Sequence, residues 1–242
     1  MKPQIRVFPN PEALADQVAA DFYDLLLVRQ LRAGRIHLCL TGGRVSTMVL
    51  QAIQNRSAGS GILWDRTDWW WGDERYLLRS SPQRNEARAR VTLLDSLPIR
   101  QNQVHPMPAT DDLDGDIDRA ADQYTHEVQQ MVVDGFDLVF LSIGEDGHIA
   151  SLFPGQPQSD SIRTAALSIR NSPKPPPDRI SLTIPMLTRT RNLWLLAAGD
   201  QKAKAVAEVL QNPDCDLPAA RVLDLGESIL YLDEGAAGQI DA

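Results

Sequence analysis

The chain has 242 residues, enough for one large domain or two small ones, and its composition is that of an ordinary globular protein. Twenty-four basic against thirty-two acidic side chains give a formal net charge of −8. That balance argues against nucleic acid as a bulk partner, yet a local cluster of cations can still hold a small anion.

No run of 18 apolar residues is present, and "MKPQIRVFPNPEAL" lacks the continuous apolar core of a signal peptide. No membrane partner and a cytoplasmic location are therefore expected. Cys39 and Cys215 give no disulfide framework.

In chain order, "IRVF" at 5–8 reads as a strand. Asn10, Pro11 and Glu12 then offer a cap, a proline at the first helical position and an acid in the first turn. Leu14, Val18, Phe22, Leu25 and Leu26 recur at helical spacing, with Gly34 as the stop. An apolar strand at 36–40 runs into the tight loop Thr41-Gly42-Gly43, and a helix is predicted at 45–54.

Residues 68–71 read as a buried aromatic strand, left through Gly72-Asp73-Glu74-Arg75. Helices follow at 84–94 and 117–133, then a strand at 136–143 that opens into "GEDGHIASLFPG" (144–155). Residues 173–177 form a proline-rich connector, expected to be extended. A strand at 192–198, a helix at 199–210 and a strand at 228–233 complete the pattern. The acidic, alanine-rich stretch 233–242 is expected to fray.

There is no internal repeat and no dividing linker, so one domain over residues 1–242 is expected. Strands alternating with helices predict an α/β fold, a mostly parallel sheet covered on both faces in three α/β/α layers. In such sheets ligands bind beyond the carboxyl ends of the strands. That rule places the loops at 41–43, 72–75 and 144–155 on one rim.

The glycines of "LTGGRVST" (40–47) let backbone N–H groups approach an anion at the start of a helix. A simple strand–helix turn explains them equally well, and no nucleotide fingerprint is present. In "WWWGDERYL" (69–77), Arg75 can meet an anion while Asp73 and Glu74 orient polar groups; an exposed charged turn is the plainer reading. The three tryptophans read as core.

Of four histidines, His37 falls in a strand, His126 in a helix and His105 in a loop without acidic neighbours. His148 alone sits on a glycine-rich loop with a carboxylate, Asp146, two residues back. That pairing suits a general base, with a structural loop histidine as the bland alternative. Asp-x-His supplies too few ligands for a metal site. Ser151 lacks a nucleophile elbow. Lys202 and Lys204 point to different helix faces, so at most one reaches the rim. Arg179 follows three stiffening prolines. Solvated surface charge is the usual fate of such side chains.

Taken together, "LTGG" (40–43), "WGDERYL" (71–77), "RNEA" (84–87), "DLVFLSIGEDGHIASLFPG" (137–155), "PPPDRISLT" (175–183), "LLAAGDQKAKAV" (195–206) and "AARV" (219–222) resemble the 6-phosphogluconolactonase family. The resemblance implies a Rossmann-like α/β fold shared with glucosamine-6-phosphate deaminases. It implies hydrolysis of 6-phospho-D-glucono-1,5-lactone to 6-phosphogluconate, in the oxidative pentose phosphate pathway, with no metal or organic cofactor.

The implied roles are His148 as the base that activates water and Asp146 as its partner. Asp73 and Arg75 bind substrate, and Thr41, Gly42, Gly43, Arg179 and Lys202 hold its phosphate. Backbone N–H groups of the turn 144–147, or Arg75, are the expected oxyanion donors. Oligomeric state is left open, with a monomer favoured.

Deaminases continue Asp-Gly-His-Ile-Ala with Asn-Glu-Pro, where this chain has Ser151-Leu152-Phe153-Pro154. They also carry Asp-Glu-Tyr where this chain has Asp73-Glu74-Arg75. Both differences favour the lactonase over the deaminase. A sugar-phosphate sensor without activity is the third reading. Many lactonases read Ser-Gly-Gly-Ser-Thr-Pro at the first loop. Here it is Thr41-Gly42-Gly43-Arg44-Val45-Ser46, which leaves open which of Thr41, Arg44, Ser46 and Thr47 meets the phosphate.

Overall fold

The computed structural model describes residues 3–32, 34–156, 163–224 and 228–240. Its principal sheet has six strands, all parallel: β1 (Gln4–Phe8), β2 (Ile36–Leu40), β3 (Thr67–Trp71), β5 (Leu138–Ser142), β8 (Leu193–Ala197) and β9 (Ser228–Asp233). Their spatial order is β1-β9-β8-β5-β2-β3. From β2 the chain moves outward to β3, then crosses back to lay β5 on the other side of β2. The order therefore reverses between β2 and β5, and a crevice opens beyond their carboxyl ends.

Strand alternation sorts the side chains onto two faces. Leu38, Leu40, Trp69, Trp71, Leu138, Phe140, Trp194 and Leu196 share one core with α1 (Pro11–Arg29), α2 (Arg44–Asn55) and α3 (Asn85–Thr92). Cys39, Trp70, Val139, Leu141, Leu193 and Leu195 share the other with α4 (Ile117–Met131), α5 (Ile184–Leu187), α6 (Ala203–Gln211), α7 (Pro218–Asp224) and α8 (Glu234–Ala237). The three tryptophans are core, at most 1 % exposed. Each large apolar side chain buried this way contributes roughly 1.5–3 kcal/mol, so both faces are firmly seated.

Local signals explain several ends. Asn10 caps α1 through Oδ1, which accepts from Ala13 N at 2.8 Å. The helix stops at Arg29, short of Gly34. Gly72 does not simply open a loop. It leads into β4 (Asp73–Arg75), which pairs antiparallel with β7 (Arg179–Leu182), itself paired with β6 (Ala166–Ile169). This small second sheet was not expected from the sequence, because strands of three or four residues carry too little alternation to be read.

Two other expectations are corrected. Residues 173–177 are not an extended connector: they bend so that the carbonyls of Lys174, Pro175 and Pro176 all accept hydrogen bonds from the Arg179 guanidinium. The stretch after β9 does not fray at its start. Asp233 is buried, caps α8 through Ala236 N, and accepts the Gly199 N–H at 2.9 Å. Residues 241–242 lie outside the described residues. Among the described residues, no helix is long and apolar enough to cross a membrane.

Candidate active site

β2 ends at Leu40 and delivers Thr41, Gly42 and Gly43 to the crevice. The loop is closed by its own hydroxyls: Ser46 Oγ donates to Thr41 O at 2.7 Å and Thr47 Oγ1 to Gly43 O at 2.9 Å. Both protons are thereby committed, which leaves the Thr41 hydroxyl and backbone N–H groups as the loop's donors. Gly43 has φ 105°, in the left-handed region that favours glycine. A Cβ on Gly42 would lie 2.2 Å from Asn85 Oδ1, so only glycine lets that α3 side chain cross the loop.

β4 carries three charged residues with three different fates. Asp73 is buried; its Oδ2 accepts from Ser151 Oγ at 2.7 Å, and its backbone carbonyl accepts from Asn85 Nδ2 at 3.0 Å. Glu74 turns inward and accepts backbone N–H groups from Arg75, Asn85 and Glu86, so it caps α3 rather than facing ligand. Burial pushes its carboxyl up to about 7 against the opposing pull of Arg84 and those N–H groups. Arg75 donates through one nitrogen to Gln83 O and lines the crevice.

β5 ends at Ser142 and the chain turns sharply. Gly144 N donates to His148 O at 2.8 Å and Gly147 N to Gly144 O at 3.0 Å. These two N–H groups are spent on the turn, so neither is the oxyanion donor expected from the sequence. A Cβ on Gly144 would lie 1.9 Å from His148 Nδ1. Glycine is what allows the imidazole to lie against the backbone.

His148 Nδ1 makes a short contact with Asp146 Oδ1, so the carboxylate fixes the tautomer and leaves Nε2 free. Phe153 packs on the ring, with centroids 4.6 Å apart. The imidazole is only 16 % exposed. Burial lowers its pKa from the ordinary value and Asp146 only partly restores it, which favours the neutral ring. Burial alone would raise Asp146, but His148 and Lys174 outweigh it and hold the carboxyl below its usual range.

The cations complete the rim. Arg179 is buried, with Nη1 3.4 Å from Ser151 Oγ and the ring of Phe153 beneath its guanidinium. Ser151 thus joins Asp73 to Arg179, and its hydroxyl is committed to that structural role. Lys202 is the N-cap residue of α6, and its own pKa is lowered, first by burial and then by Lys174.

Eight of the nine residues expected from the sequence line one cleft; the ninth, Asp146, stands behind His148 on its Nδ1 side. Asn85, Ser142 and Lys174 line the cleft as well and were not singled out. The "RNEA" segment carried the signal for Asn85. Lys174, whose Nζ is 4.0 Å from Asp146 Oδ1, was hidden in a stretch that reads as mere connector.

His105 is corrected outright. Its ring nitrogens lie 2.7 Å from Glu127 Oε1 and 3.2 Å from Asp68 Oδ1, so it has two acidic neighbours in space. Among the described residues, no group of three or more His, Cys, Asp and Glu side chains is placed to hold a metal.

A doubly wound parallel sheet, with a histidine–carboxylate pair facing four cations at its switch point, defines an α/β enzyme for a small anionic substrate. The chain belongs to the family described as glucosamine-6-phosphate isomerases/6-phosphogluconolactonase, whose model matches residues 9–231. It is 38 % identical to a 6-phosphogluconolactonase of Streptomyces coelicolor, over 98 % of this chain and 95 % of that one.

Two solved structures share the fold. The 6-phosphogluconolactonase from Trypanosoma cruzi superposes with a TM-score of 0.86 at 22 % identity, covering 100 % of this chain and 98 % of the other. A monomeric glucosamine-6-phosphate deaminase does so at 0.83 and 18 %, covering 98 % and 99 %. The fold alone therefore does not separate the two chemistries.

Proposed function

We propose that the chain hydrolyses 6-phospho-D-glucono-1,5-lactone to 6-phosphogluconate, with His148 as the general base. The observation that carries this reading is the imidazole held through Nδ1 by Asp146 on the wall of a cleft rimmed by Arg75, Lys174, Arg179 and Lys202.

The lactone C1 is an activated acyl carbon, so water suffices as nucleophile. Nε2 takes a proton from water as its oxygen bonds to C1. The carbonyl electrons move onto oxygen, where the Arg75 guanidinium on the cleft wall serves as donor in place of the committed Gly144 and Gly147 N–H groups. When the tetrahedral intermediate collapses, the bond from C1 to the ring oxygen breaks. The imidazolium returns its proton to that oxygen, and the acid product ionises.

The phosphate lies at the other end, on the loop Thr41–Gly43 with Lys202. Arg179 adds charge, and it also shapes the wall by gathering the 174–176 carbonyls. Holding the phosphate fixes C1 against Nε2, an orientation effect that can be large. The same reading gives a cytoplasmic enzyme of carbohydrate metabolism.

The test is lactone hydrolysis followed beside a no-enzyme control, because the lactone also opens spontaneously. His148→Ala is expected to lower kcat by roughly 10²–10⁴-fold, the usual span for a general base. A folded variant with near wild-type kcat would remove His148 from the mechanism. Ammonia release from glucosamine 6-phosphate would instead assign the deaminase chemistry.

A further inference from the structure

The catalytic cleft is not closed at its phosphate end. It measures about 170 Å³, below the roughly 300–1,000 Å³ of typical small-molecule sites. A second cavity of about 310 Å³ adjoins it and shares Gly43, Ser142, Ile143 and Lys202 with it. Lys202 stands at the waist between the two.

The second cavity has an apolar floor that includes Val45, Met48 and Leu196. Its polar wall carries Arg44 and Lys202 against one acid, Glu145. Neither Arg44 nor Lys202 makes a hydrogen bond through its side chain or an ion pair among the described residues, and Lys202 is half-buried. Two unpaired cations facing one carboxylate select for an anion locally, whatever the net charge of the chain.

We infer that the phosphate subsite is open-ended and binds an organic diphosphate across both cavities. One phosphoryl group takes the place of the substrate's phosphate at Lys202. The next meets Arg44, whose planar fork suits a phosphate bidentately. The remainder of the ligand lies on the apolar floor. Such a ligand excludes the lactone, because both need Lys202. This rests on the assignment of Lys202 and the glycine loop to the substrate's phosphate.

The experiment compares inorganic phosphate, pyrophosphate and ADP as inhibitors of lactone hydrolysis, in the wild-type chain and in Arg44→Ala and Arg44→Lys. Phosphate competing with the lactone supports the Lys202 assignment; its failure to compete sinks that assignment alone. The open-ended subsite is then read separately, by direct titration of pyrophosphate and ADP. Expected are pyrophosphate and ADP binding at least ~10-fold more tightly than phosphate, as one bidentate charge-assisted contact would give. Arg44→Ala erases that advantage without weakening phosphate, and Arg44→Lys keeps part of it. Equal binding of phosphate and pyrophosphate, or an advantage that survives in Arg44→Ala, overturns the proposal.

Discussion

At the scale of single residues the cleft is governed by what stands next to one imidazole. Asp146 raises the affinity of His148 for a proton, while burial and Lys174 lower it. As the proposed base, His148 must be neutral to act, so kcat/KM is expected to fall as pH drops through a His148 pKa lying below the ordinary 6.5. Neighbouring charges move that acid limb in opposite directions. Asp146→Asn should shift it to lower pH and slow the plateau; Lys174→Gln should shift it to higher pH. A limb that stays put in both variants means that another group controls the profile.

Gly144 tests geometry rather than charge. Its missing side chain leaves room for His148 Nδ1, and an added Cβ would meet that atom at 1.9 Å. Gly144→Ala is expected to displace the ring and lower kcat by about 10²-fold, as misplaced catalytic groups do, with thermal unfolding little changed. Unchanged kcat would mean that the ring position does not matter.

At the scale of elements the least expected contact joins β3 to α4. His105 lies between Asp68 and Glu127 and stacks flat on Trp70, with centroids 4.0 Å apart. Burial alone would lower its pKa, but the hydrogen bonds to Asp68 and Glu127 win and raise it. The native state therefore binds a proton more tightly than the unfolded chain. The stability this confers is fully present below about pH 6.5, the unfolded value, and is lost as pH rises through the higher folded value. His105→Gln should destabilise most in the acid range and least in the alkaline range, as urea midpoints at pH 5.5 and 9 would show. An equal loss at both pH values would assign His105 to packing alone.

The parallel strands were legible because each carries five or six residues of apolar pattern, and the three rim loops followed from them. Missed were contacts made by residues distant in sequence. Asp68, His105 and Glu127 meet only through the fold, so His105 read as solitary. Lys174 and Asn85 reach the cleft because Arg179 bends one segment and Glu74 anchors the other. No local pattern announces either. Glu74 shows the converse: it sits in a motif that reads as a binding turn, and it is a helix cap.

At the scale of the whole molecule two charge effects oppose each other. The chain carries −8 overall, while Arg75, Lys174, Arg179 and Lys202 gather on one rim. At physiological salt the screening length is about 8 Å, so an anion in the cleft responds to the local cations far more than to the global charge. Raising ionic strength should therefore raise KM for the phosphorylated lactone and leave kcat nearly constant. A KM that falls with salt would show that the net charge dominates instead.

The order of the sheet also sets a timetable for synthesis. β1 is made first, but its partner in the sheet is β9, and the register joins Gln4 to Ile229. Until the last strand leaves the ribosome, β1 has no place to dock, and the Gly199 turn that presents Lys202 lacks its acceptor on Asp233. Pairings this distant in sequence form slowly and leave open strand edges meanwhile. Most of the rim can be assembled early, but it is finished only when the two ends of the chain meet.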